Sequence, residues 1–86
     1  MFQAETTIKN PTGLHARPAS QLTQLCKNFP EKITLLCGEH QVDPKSIISI
    51  LAAGMKSGTA ITVQVEGDNE QAVGEEIITF INGLTE

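Results

Sequence analysis

One segment of this 86-residue sequence brings together residue types suited to nucleophilic and anion chemistry. It reads Gly13-Leu14-His15-Ala16-Arg17-Pro18-Ala19-Ser20. Gly13 supplies a flexible turn, and Pro18 suits a first helical turn, where a missing N–H does no harm. His15 then falls at the N-cap of a helix, with the backbone amides of Ala16 and Arg17 pointing outward beside its ring. A helix start carries roughly +0.5 of an elementary charge and attracts anions. Arg17 adds a permanent cation whose planar fork matches phosphate. Surroundings of this sign disfavour an imidazolium, so the ring keeps a lone pair near neutral pH. A neutral imidazole nitrogen is a nucleophile, and a phosphoryl group received there would meet the same amides and guanidinium. No carboxylate adjoins His15 in the sequence, which points away from a hydrolytic triad.

The other reactive side chains form no comparable pattern. His40 lies near a strand turn without sequence neighbours that suggest chemistry. Cys26 and Cys37 lack the close spacing of a zinc site, so no metal is expected and two reduced, semi-buried cysteines are. A net charge of −4 argues against a nucleic-acid binder, which would carry a basic stripe. Tryptophan and tyrosine are absent and phenylalanine occurs three times, leaving no platform for stacked bases. No apolar run approaches the ~18 residues of a membrane span. The opening residues lack the basic and apolar regions of a signal peptide. The expected location is the cytoplasm.

The elements that must hold His15 follow from periodicity. Residues 2–8 alternate, with Phe2, Ala4, Thr6 and Ile8 on one side, and read as a half-buried strand. Asn10-Pro11-Thr12-Gly13 breaks it. From Ala16 the period becomes helical, with Ala19, Leu22, Cys26 and Phe29 in one stripe that Leu25 widens. Asn28 and Pro30 close that helix. Residues 33–37 and 40–42 form two short strands around Gly38-Glu39. A short helical segment follows, capped by Asp43 with Pro44 in its first turn or by Ser46 itself, and ended by Gly54. Ile61, Val63 and Val65 alternate in a last strand. Val73, Ile77, Phe80, Ile81 and Leu84 give a last amphipathic helix.

The order is β-α-β-β-α-β-α without repeat or linker, a single domain over residues 1–86. Four strands with one apolar face each, and helices needing cover, imply an α+β two-layer open-faced sandwich. Pattern alone leaves the strand order open. A chain this short buries only roughly 60–65 % of its unfolded surface, so the chemistry should lie at the surface and be shared with a partner.

Residues 13–19 resemble the active-site signature of HPr, the histidine-containing phosphocarrier family of the bacterial phosphoenolpyruvate-dependent sugar phosphotransferase system. The similarity extends over the whole chain in length, element order, histidine position and the Lys45-Ser46-Ile47 segment. It implies a four-stranded antiparallel sheet in the order 1-4-2-3, covered on one face by three helices. It implies phosphorylation of His15 at Nδ1 with help from Arg17, and no cofactor. The implied donor is Enzyme I and the implied acceptors are IIA domains of sugar transporters. The resemblance implies a monomer that serves as a phosphoryl-transfer intermediate rather than a free-standing turnover enzyme. A regulatory relative of the nitrogen-branch type, acting by phosphorylation-dependent binding, is the alternative.

The short second helix is the other segment of interest. Ile47, Ile48, Leu51 and Met55 recur at helical spacing, while Ile50 points elsewhere. So small a core has no room for them all, and an exposed remainder marks a docking surface. The resemblance assigns donor and acceptor docking to this helix. Ile47, Ile48 and Leu51 would supply contact, with Lys27 and Lys45 orienting an acidic partner. Ser46 resembles the serine that is a regulatory phosphorylation site in many Gram-positive relatives, served by a kinase/phosphorylase. Asp43-Pro44 departs from that pattern.

Overall fold

A computed structural model describes residues 1–85. Its elements are β1 (Phe2–Thr7), α1 (Ala16–Lys27), β2 (Lys32–Cys37), β3 (His40–Val42), α2 (Ile47–Ala53), β4 (Ala60–Glu66) and α3 (Glu70–Asn82). The strands form one antiparallel sheet in the order β1-β4-β2-β3. Strand β4 lies inside it because it pairs on both sides. Val63 faces Ala4 of β1 and Leu35 of β2.

Alternation decides which face the helices cover. Ile33 and Leu35 of β2, with Ile61, Val63 and Val65 of β4, are buried on the helix side. Ala19, Leu22 and Cys26 of α1 and Val73, Ile77 and Ile81 of α3 complete the core. Full burial of a large aliphatic side chain is worth about 1.5–3 kcal/mol, so these stripes hold the two layers together. Helix α3 comes close to β1 because Gly74 has no side chain. A Cβ there would collide with the ring of Phe2.

Helix α2 shows which of the two possible caps is used and corrects one expectation, the stripe that ran on to Met55. Ser46 is its N-cap and accepts the Ser49 N–H at 3.3 Å. Asp43 instead closes the preceding turn, its carboxylate accepting the Lys45 amide and its carbonyl the Ser46 amide. The inward line runs through Ile50, which is fully buried, with Ile47 half-buried beside it. Met55 leaves the outer stripe altogether. The helix stops at Ala53, Gly54 takes a left-handed φ of 62°, and the redirected chain tucks Met55 into the core. Ile48 at 76 % exposure and Leu51 at 42 % stay outside.

Candidate phosphoryl-acceptor site

The turn before α1 is built to hold the chain at His15. The buried Asn10 side chain donates to the Gly13 carbonyl at 2.7 Å, and the Asn10 carbonyl accepts the Gly13 amide at 3.1 Å. Gly13 has φ +67° and lies against the backbone of Met55 and Lys56. Leu14 is buried and donates its amide to the Met55 carbonyl at 2.8 Å. The next residue is therefore turned outward. His15 is exposed, in extended backbone geometry, and caps α1 without a side-chain capping bond. Its carbonyl takes the first intrahelical bond, from Ala19 N–H at 2.8 Å. The amides of Ala16 and Arg17 precede that bond, at the positive end of the helix dipole. Arg17 is exposed at the second position of α1, whereas Pro18 and Ala19 turn inward.

A shallow cleft of about 230 Å³ runs beside the histidine, lined by Thr12, Leu14, His15, Leu51, Gly54, Met55 and Lys56. It brings His15 and the exposed Leu51 to one surface. It also contains Lys56, which sequence spacing gave no means of connecting to His15. A larger depression of about 360 Å³ lies at the sheet edge, lined by residues including Lys32, Thr34 and Lys45, and does not include His15. A nucleophile in an open, shallow cleft suits a group that is handed from protein to protein.

The remaining predicted residues separate in position and in partners. Lys27 is exposed in the last turn of α1. Lys45 is half-buried, and its ammonium donates to the carbonyls of Phe29 at 2.7 Å and Glu31 at 2.9 Å. It therefore ties the entry of α2 to the chain leaving α1. Asn10 was visible in the sequence only as part of a turn, not as the brace beneath Gly13. The cysteines form no disulfide. Burial pushes the Cys26 thiol up to about 12, which keeps it protonated and removes it as a competing nucleophile. His40 is exposed at the β2–β3 turn. Among the described residues no cluster of His, Cys, Asp or Glu is fit to hold a metal ion. None of the described helices is long and apolar enough to cross a membrane.

Fold and site together define a carrier-type domain: an open-faced sandwich with one helix-capping histidine on its surface and the exposed Leu51 beside it. The comparisons agree. A family model described as the phosphotransferase-system HPr component phosphorylation site matches residues 2–83. The phosphocarrier protein HPr of Cupriavidus necator is 36 % identical over 81 residues, covering 94 % of this chain and 91 % of that protein. A multiphosphoryl transfer protein of Xanthomonas campestris is 32 % identical over 81 residues, which are 94 % of this chain and 10 % of that much longer one. The crystal structure of HPr-C-His from Thermoanaerobacter tengcongensis superposes with a TM-score of 0.91 at 33 % identity, over 95 % of this chain and 92 % of that one. This chain belongs to the HPr family of phosphocarriers of the phosphotransferase system.

Proposed function

We propose that this chain, acting as a single domain, accepts a phosphoryl group on His15 from phosphorylated Enzyme I and passes it to IIA domains of sugar transporters in the cytoplasm. The observation that carries the reading is the exposed imidazole at the N-cap of α1, which makes no capping bond of its own. The ring nitrogen attacks phosphorus. The bond to the donor's leaving atom breaks with its electron pair staying on that atom, and a P–N bond forms. The amides of Ala16 and Arg17 and the Arg17 guanidinium meet the transferred charge. Passing the group on reverses these roles, so the chain is an intermediate rather than a turnover enzyme.

Docking is assigned to the outer face of α2. Ile48 and Leu51 give apolar contact, Ile47 supports them from a half-buried position, and Lys27 orients an acidic partner. Ser46 lies at the rim of this face and is the candidate site of regulatory phosphorylation. Carriage within a longer chain is consistent with the name of the Xanthomonas relative, a multiphosphoryl transfer protein with a segment like this one. The test is incubation with phosphoenolpyruvate and purified Enzyme I, followed by intact-mass measurement. One phosphoryl gain per chain is expected. No gain, with the donor itself phosphorylated, contradicts the reading.

A further inference from the structure

We infer that Lys56, at the cleft that His15 lines, is a second cation for the phosphoryl group carried on His15. The inference rests on the phosphoacceptor role of His15 proposed above. Three observations place Lys56 there. Its Cα packs against Gly13, where a Cβ would approach it to 2.6 Å, so Lys56 is anchored to the loop that delivers the histidine. Its side chain is exposed, and it lines the same cleft as His15 and Thr12. That lining includes no carboxylate, and Lys56 is its one lysine or arginine.

The chemistry follows from the charge that arrives. A phosphoryl group on nitrogen brings negative charge and three acceptor oxygens to an exposed cleft. The helix start and Arg17 approach it from α1. Lys56 approaches from the segment between α2 and β4, on a flexible four-carbon stem. A mobile ammonium can follow the group as it changes hands, whereas backbone amides cannot. Lys56 therefore favours the fully ionised phosphoryl group, which is the form a cation stabilises.

The test loads His15 without a partner protein, using phosphoramidate as a small donor. Its P–N bond breaks and ammonia leaves as the new P–N bond forms. The phosphorus-31 resonance is then titrated with pH in wild type, Lys56→Met, Lys56→Arg and the distant Lys32→Met. In Lys56→Met the midpoint should rise by about half a pH unit, roughly threefold in the ionisation equilibrium. Lys56→Arg should stay near wild type, as should Lys32→Met. The difference should fade at about 1 M salt. An unchanged midpoint in Lys56→Met overturns the inference, as does an equal rise in Lys32→Met. Loading by phosphoramidate but not by Enzyme I overturns the donor assignment and leaves the Lys56 comparison intact. Loading by neither overturns both.

Discussion

The amide of Leu14 donates to the carbonyl of Met55 at 2.8 Å. This one bond joins the loop that carries His15 to the segment that follows α2. Gly13 lies in the same contact. A Cβ there would approach the Met55 carbonyl oxygen to 2.5 Å, on a backbone already at φ +67°. Gly13→Ala should cost about 1–3 kcal/mol of stability and slow phosphoryl transfer more than a stability loss accounts for, because His15 moves with the loop. Denaturant unfolding and transfer kinetics on the same protein check this. Wild-type values in both would mean that the loop yields without cost.

Lys45 should behave as a tether. Its ammonium bonds two carbonyls that follow α1, where a cation also meets the negative end of the helix dipole. Lys45→Met should lower stability by about 1–2 kcal/mol after allowance for partial solvent exposure. Amide exchange in α2 should quicken. Unchanged melting with a weakened salt dependence of donor binding would make Lys45 a partner-facing charge instead.

These two residues mark where sequence reading succeeded and where it stopped. Gly13, His15 and Pro18 are close neighbours, so the capping histidine was legible from local turn and helix chemistry. Ile61, Val63 and Val65 declared the buried face of β4 by strict alternation. Spacing sets Ile50 apart from Ile47 and Ile48, but a helix of seven residues holds too few turns to say which face is the inward one. Met55 leaves the expected stripe because the left-handed Gly54 redirects the chain, and spacing cannot register a change of direction. The acceptors of Lys45 are backbone carbonyls 14 and 16 residues away, which no side-chain motif announces. Lys56 reaches the His15 cleft through tertiary packing alone.

The N-terminal ammonium of Met1 and Glu70 form an ion pair at 2.7 Å. The ammonium holds the Glu70 carboxyl below its usual 4.5, assisted by the Gly67 amide. Glu70 in turn raises the ammonium above its usual 8.0. A depressed carboxyl stabilises above its unfolded value, and the effect is lost as pH falls through the folded value. A raised ammonium stabilises below its unfolded value, and the effect is lost as pH rises through the folded value. Glu70→Gln should therefore lower the Tm most between about pH 4.5 and pH 8, and the gap to wild type should narrow on either side. Thermal melts across pH check this; a gap that persists at about pH 2 would assign the loss to packing.

Ser46→Asp separates docking from folding. Asp caps a helix as well as Ser does, so the Tm should move little. A negative charge at the rim of Ile48 and Leu51 should weaken Enzyme I binding about tenfold or more. Ile48→Ala should weaken it through lost apolar contact, also without unfolding the domain, because the side chain is 76 % exposed. Titration calorimetry decides both. Wild-type affinity in both variants would move docking off this helix.

The central claim is that His15 is the residue that carries the phosphoryl group, and phosphorylation of histidine variants tests it most directly. Wild type, His15→Ala and His40→Ala are incubated with phosphoenolpyruvate and Enzyme I, and intact masses are read before and after mild acid and mild base. Wild type and His40→Ala should each gain one phosphoryl group that is labile to acid and stable to base. His15→Ala should gain none while keeping its fold by circular dichroism. A phosphoryl gain retained in His15→Ala, or lost in His40→Ala, would contradict the account.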